Sequence, residues 1–165
     1  MCEGIKKISA GFTMVEMMLV LLLLGIVAAV AVPAMNSSLD EMKLDAAARE
    51  VVSAIQYCQS QAIKTGSDTY KVAFNESTDE FMCKEDNSIV ALHPLDKKPY
   101  KIQFNLEGHL QGVDIVSASF GSSNGLAVKF NSLGETDDAG AAVLGYAGFQ
   151  KTINVTAPIG KITVN

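Results

Sequence analysis

The chain has no Trp, only 4 Pro and only 3 Cys among its 165 residues, and 13 basic side chains stand against 18 acidic ones. So few prolines in a chain that is 48% hydrophobic exclude a disordered or low-complexity protein. So few cysteines exclude a disulfide-dense scaffold, and 165 residues suffice for one domain with its own core. The net charge of −5 argues against a protein whose main task is to bind nucleic acid.

The sequence gives little support for an enzyme. No serine has an obvious partner base for nucleophilic catalysis, and the glycine-containing segment Gly121–Gly125 lacks the Gly-Lys-Ser/Thr ending of a phosphate-binding loop. His93 and His109 have no partners at zinc spacing, and the acidic run 135–138 favours a solvated turn over a calcium loop. We therefore expect no enzymatic activity, no bound metal and no cofactor.

One long apolar run dominates the sequence. Met17–Val32 contains 16 residues without a polar side chain, and a helix over 12–35 would be about 36 Å long, enough to cross a hydrocarbon core of about 30 Å. Lys6 and Lys7 before the run predict a cytosolic N-terminus. We expect a single-pass protein of the bacterial cytoplasmic (inner) membrane, with its C-terminal domain periplasmic or extracellular.

Two ordinary interpretations also fit this run. A secretory signal has the same plan, with Ala29-Val30-Ala31 as its cleavage site, and a simple membrane anchor needs no more than the run itself. Neither accounts for Glu16, because a carboxylate at the edge of a membrane segment is costly without a compensating partner.

The segment Gly11-Phe12-Thr13-Met14-Val15-Glu16, followed by the apolar run, resembles the class III leader of type IV pilins and pseudopilins. The resemblance implies that prepilin peptidase cuts between Gly11 and Phe12 and methylates the new terminus at Phe12. It makes Glu16 the acid of the family and Pro33 its helix-kinking proline. The implied partners are that peptidase, other pilin or pseudopilin subunits, an inner-membrane assembly platform, and membrane lipid before assembly.

Physical reasoning gives these residues compatible roles. Gly11 lets a protease approach the backbone closely, and Pro33 allows the helix to bend. Glu16 lies about 6 Å along a helix from the new amine at Phe12, so a staggered neighbouring subunit could present its own amine to this carboxylate. The alternative is that Glu16 only reaches toward the lipid headgroups.

The sequence predicts an α+β, pilin-like fold. Its parts are a leader (1–11), a transmembrane and assembly helix (12–35), and a domain (36–165) made of an amphipathic helix over 36–65 and a β-rich segment over 69–165. The buried face of the second helical part is predicted from apolar residues at three- and four-residue steps: Leu44, Ala48, Val51, Ile55, Cys58 and Ala62. We expect one antiparallel sheet against this helix, with strands over 70–74, 80–83, 89–92, 101–104, 113–119, 126–131, 151–156 and 161–165.

Within the pilin-like proteins the pattern is most similar to the GspH/FimT group of minor pseudopilins and pilins. Three segments carry this similarity: Ala46–Arg49, Phe130–Gly134 and Gly160-Lys161-Ile162. The chain departs from the group at Lys161, where Arg is common, and at Gln56 and Gln59, where a second basic residue of the helix is expected.

Two cysteines remain after the leader and its Cys2 are removed. Cys58 and Cys83 would then lie in an oxidising compartment, where they can form a disulfide or remain two small buried side chains.

The function predicted is that of a non-enzymatic subunit of a type II secretion pseudopilus or a type IV pilus. The alternative is a minor pilin that binds DNA during uptake, for which Lys151 and Lys161 on neighbouring C-terminal strands are the candidate contacts.

Overall fold

The computed structural model describes residues 11–86, 89–121 and 125–165, and for residues 32–37 the backbone alone. Within these ranges the fold is α+β and pilin-like, as the sequence predicts, with one helix followed by antiparallel strands. The elements are α1 (Met14–Thr65), β1 (Lys71–Asn75), β2 (Glu80–Lys84), β3 (Lys101–Gln103), β4 (Asp114–Phe120), β5 (Ala127–Lys129), β6 (Gly140–Tyr146), β7 (Phe149–Thr156) and β8 (Lys161–Val164). The chain divides into two compact units between Ser38 and Leu39, and the second unit contains all eight of these strands.

Helix α1 ends where the sequence predicts. Gly66 follows the last helical residue with φ of +64°, a conformation that glycine adopts without strain. The backbone N–H of Ser67 donates to the carbonyl of Ala62 at 3.1 Å, and that of Gly66 donates to Ile63 at 3.4 Å. These two bonds form a Schellman motif, which satisfies carbonyls that the helix end leaves without partners.

In the second unit, α1 buries the face that its periodicity predicts. All six residues of that predicted face are at most 2% exposed, and Ala47 and Ala54 are buried with them. They join one core with side chains from the strands, of which the largest fully buried ones are Phe81, Phe104, Phe120 and Phe130.

The strands form two four-stranded sheets, not the one sheet we expected from the sequence. The first sheet has the order β3-β2-β1-β5 and the second β4-β6-β7-β8, with antiparallel pairs throughout. Three pairs of strands that are consecutive in the chain are also neighbours in a sheet and form hairpins: β1–β2, β6–β7 and β7–β8. The expected strand over 89–92 is wrong, since only isolated bridges form there, at Val90 and Leu92.

Strand β6 is absent from the sequence prediction because its residues are mainly small. A Cβ atom on Gly140 would lie 2.0 Å from the carbonyl oxygen of Ser119 on β4, so the close approach of these two backbones requires glycine here. With two Gly and two Ala among its seven residues, the strand has few of the β-branched and aromatic side chains by which strands are predicted.

Two carboxylates cover the outer edge of β4. Glu76 accepts a hydrogen bond from the N–H of Ala118 at 2.7 Å, and Asp79 accepts one from the N–H of Ile115 at 3.0 Å. Both acids belong to the turn between β1 and β2, so they connect the first sheet to the second. They also occupy edge N–H groups that could otherwise pair with another chain.

Candidate functional site

The predicted cleavage site lies just before the start of α1. Gly11, Phe12 and Thr13 are exposed and not helical, and the helix begins at Met14. Among the residues that the structure describes, apart from the chain neighbours of Gly11, no atom lies within 4 Å of the position that a Cβ on Gly11 would occupy. The described side of the Gly11–Phe12 bond is therefore open, and helical structure begins two residues after it.

Thr13 and Glu16 form a capping box at this helix start. The N–H of Glu16 donates to Oγ1 of Thr13 at 3.2 Å, and the N–H of Thr13 donates to Oε2 of Glu16 at 3.4 Å. Each side chain thereby satisfies a backbone donor that the first turn would leave without a partner. The capping role of Thr13 was not predicted from the sequence, although the spacing Thr-x-x-Glu before an apolar run is a known signal for this cap.

The cap gives Glu16 a local role in the isolated chain. A carboxylate in the first turn is stabilised by the partial positive charge of a helix N-terminus. The cost of an acid beside an apolar segment is therefore partly offset within the chain itself. Pairing of Glu16 with a neighbouring amine, or its reaching toward headgroups, stays a prediction.

The helix that follows is long and apolar enough to cross a membrane. The window Met14–Ala31 has a mean hydropathy of 2.6, and none of its residues is buried within the chain. At 1.5 Å per residue its 18 residues extend about 27 Å, close to the hydrocarbon thickness of a bilayer. A continuous apolar surface of this size requires lipid or other protein chains to cover it.

Comparison with known proteins identifies this segment. The prokaryotic N-terminal methylation motif matches residues 6–32. The motif indicates a type IV pilin-like precursor. Proteins with this motif are structural, and the leader implies processing by prepilin peptidase and assembly with other pilins. Neither the curated proteins nor the solved structures provided a match to this chain.

The matched residues include Gly11, Phe12 and Glu16, while Pro33 follows the last of them. The backbone at Pro33 is helical and belongs to α1. A bend at this residue stays a prediction, as do the cut between Gly11 and Phe12 and the methylation of Phe12.

Gln59 of α1 connects two of the segments that resemble the GspH/FimT group. Its Nε2 donates to the carbonyl oxygen of Gly134 at 2.7 Å and lies 3.4 Å from that of Ile159. Gly160 is the next residue after Ile159 and has a φ of +63°, and a Cβ atom on it would lie 3.0 Å from the ring of Phe130. The end of Phe130–Gly134 and the start of Gly160–Ile162 therefore meet at one amide on the helix.

The two candidate DNA contacts lie far apart. Lys151 is on β7 and forms an ion pair with Asp45 of α1. Lys161 is on β8 and faces Thr156, five residues further along β7 than Lys151. At about 3.4 Å per residue this separates the two lysines by about 17 Å along the hairpin. The strands are neighbours, as the sequence predicts, but the two charges do not form one patch.

His93 and the acidic loop make local contacts. His93 lies 3.3 Å from the carboxylate of Asp96 and packs edge-on against Tyr100. In the acidic loop, Glu135 accepts a hydrogen bond from Asn131 and Asp138 accepts one from the backbone N–H of Lys129. Within the described ranges, no group of three or more His, Cys, Asp or Glu side chains could hold a metal ion.

The two remaining cysteines are free thiols in this structure, and both are 0% exposed. Cys58 belongs to α1 and Cys83 to β2, and the fold brings their side chains into contact. The pKa of the Cys83 thiol is strongly raised, first by its hydrogen bond with Cys58 and then by burial.

Proposed function

We propose that this chain is a structural subunit, of the minor pilin or pseudopilin type, of a type IV pilus or a type II secretion pseudopilus. In this proposal prepilin peptidase cuts the bond between Gly11 and Phe12 and methylates the new amine. The apolar part of α1 anchors the subunit in the cytoplasmic membrane and later packs against the helices of other subunits.

The proposal rests on one observation, namely that the sequence motif, an exposed peptide bond and an unburied apolar helix occur together at the N-terminus. The methylation motif over residues 6–32 contains a non-helical, exposed Gly11–Phe12 bond, and a capped helix with an unburied apolar span follows it. Each part has a use in assembly: the bond is accessible to the peptidase, and the span fits first a bilayer and then a bundle of like helices.

Glu16 supplies the charge interaction in this mechanism. Cleavage creates a positive amine at Phe12, and a neighbour shifted by about one helical turn would bring its amine to this carboxylate. The pairing neutralises both groups in an apolar environment, where an unpaired charge is expensive. It therefore favours one axial register between subunits.

The GspH/FimT type is favoured by the contacts of Gln59. Gln59 donates to Gly134, at the end of one segment that resembles that group, and contacts Ile159, the residue just before the other. It stands at one of the two positions where a basic residue is expected and still supplies an N–H donor to these loop carbonyls. The DNA-binding alternative receives no such support, because Lys151 is paired with Asp45 and lies well away from Lys161.

The processing step is tested by intact mass of the full chain extracted from membranes. We expect the wild-type chain to begin at Phe12 and to carry one added methyl group. Gly11→Leu should leave the leader attached, because a bulky side chain blocks access to the bond, whereas Gly4→Leu, within the leader, should be processed normally. A mature terminus near Val32 would indicate an ordinary secretory signal and contradict the proposal.

The assembly step is tested with Glu16→Gln, which keeps the size of the side chain and removes its charge. We expect normal processing and at least a tenfold loss of the subunit from sheared filaments. Glu3→Gln serves as the matched control, since that residue leaves with the leader. Normal incorporation of Glu16→Gln would refute the pairing role of the carboxylate.

A further inference from the structure

The contact between Cys58 and Cys83 joins the helix to the first sheet at a single point inside the core. The Sγ atom of Cys83 lies 3.5 Å from the carbonyl oxygen of Ala54, which is one helical turn before Cys58. The Sγ atom of Cys58 lies 3.5 Å from the carbonyl oxygen of Lys71. Lys71 precedes Val72, which faces Cys83 across the β1–β2 ladder. The sulfur of Cys83 therefore contacts the helix backbone one turn before Cys58, and the sulfur of Cys58 contacts the strand that pairs with the strand of Cys83.

We propose that Cys58 and Cys83 form a disulfide in the mature protein, which ties α1 covalently to β2. This inference rests on the proposed function in one respect, because it needs the C-terminal unit to fold outside the cytosol, where disulfides persist. The bridge would close a loop with 24 residues between the two cysteines. It would prevent the helix from separating from the sheet when a subunit is pulled out of the membrane.

The bridge forms by thiol–disulfide exchange with a protein thiol oxidase that carries its own disulfide. The thiolate of one cysteine attacks this disulfide, and the released oxidase thiolate takes up a proton. The second cysteine then attacks the mixed disulfide, so that the oxidase leaves as a dithiol and the two thiol hydrogens of the chain are transferred as protons.

The timing of this reaction follows from burial. In the folded chain both sulfurs are inaccessible, and the raised pKa of Cys83 disfavours the thiolate that exchange requires. Oxidation therefore takes place while the chain folds, before α1 packs on the sheet. Once formed, the bridge is protected from reductants by the same burial.

The test counts thiols in the full chain, with Cys2→Ser as the background so that the leader contributes none. The protein is extracted from membranes directly into denaturant with N-ethylmaleimide, and its intact mass is measured with and without prior reduction. We expect no adduct before reduction, a mass lower by two hydrogen atoms, and two adducts after reduction. Cys58→Ala and Cys83→Ala should each take up one adduct without reduction. Two adducts on the unreduced wild-type pair would overturn the proposal.

The same spectrum reports the N-terminus, so the two proposals can fail separately. A chain that begins at Phe12 with two free thiols keeps the proposed function and refutes the bridge. If the chain retains its leader, the proposed function fails. The bridge is then decided by refolding the reduced full chain with oxidised and reduced glutathione. An intramolecular disulfide there would support it, and two free thiols would refute it.

Discussion

Replacing Gln59 by Ala removes an amide that bonds two loops of the C-terminal unit to α1. Its Nε2 donates to the buried Gly134 at 2.7 Å and has a longer contact of 3.4 Å with Ile159. A hydrogen bond contributes about 0.5–1.5 kcal/mol net, and a buried carbonyl left without a donor costs about 1–3 kcal/mol. We therefore expect Gln59→Ala to lower the free energy of unfolding by about 1–3 kcal/mol.

The measurement is urea unfolding of the mature chain in detergent, followed by tyrosine fluorescence because the chain has no Trp. Gln56→Ala is the matched control, since Gln56 is exposed on the same helix, and it should change stability by less than about 0.5 kcal/mol. Gln59→Glu should be as destabilising as the Ala variant, because an ionised carboxylate cannot donate. Equal stabilities of the Gln59→Ala and Gln56→Ala variants would refute the reasoning.

Two further predictions concern carboxylates that accept backbone hydrogen bonds. Glu76→Ala should lower the free energy of unfolding by about 1 kcal/mol and increase aggregation, because it uncovers the N–H of Ala118 on the edge strand β4. Glu76→Gln, which retains an acceptor, should recover most of both effects in urea unfolding and light scattering, and no recovery would contradict the capping role. The pKa of Asp68 lies below its usual value, mainly because its carboxylate accepts the backbone N–H of Ser132 at 2.6 Å. A lowered pKa in the folded state stabilises it above the usual Asp pKa of 3.8, and this stability is lost as the pH falls below that value. Asp68→Asn should therefore make the acid-side loss of stability less steep than in the wild type, and identical pH profiles would argue against this bond.

The helix was the more predictable part of the fold. Its buried face and its end at Thr65 follow from local features, namely the 3.6-residue period and the Gly66 that terminates it. Its start differs from the prediction by two residues, since Thr13 caps the helix and Met14 is its first residue. Bounds of this kind depend on single hydrogen bonds, which the hydrophobic pattern does not encode.

The sheets were less predictable because their organisation depends on contacts between distant residues. Most strands were located within about two residues, but their division into two sheets depends on pairings such as β1 with β5. Strand β6 lies in a segment of small residues whose role becomes visible only beside β4, where Gly140 meets the backbone of Ser119. A sequence pattern reports burial along one strand and not the identity of the neighbouring strand.

For the candidate site, too, only features that lie close together in the sequence could be predicted. The leader pattern was recognisable because Gly11, Phe12 and Glu16 lie close together in sequence, and the motif match over residues 6–32 supports it. The contact of Cys58 with Cys83 and the separation of Lys151 from Lys161 required the fold, since both depend on how the hairpins and the helix are arranged.

The capping box adds a step to the proposed assembly mechanism. Before cleavage, Glu16 accepts the N–H of Thr13, so the helix start holds the carboxylate next to the position where the amine will form. A helix N-terminus favours an anion and disfavours a cation, which means that the new amine at Phe12 is placed unfavourably in its own chain while the carboxylate is placed well. The chain's own Glu16 carboxylate lies nearby and offsets part of this cost, so in the proposed mechanism the carboxylate of a neighbour competes with a pairing inside the chain. In that mechanism the cut places a positive charge at a helix N-terminus, and pairing between subunits relieves the part of this mismatch that the chain's own carboxylate leaves.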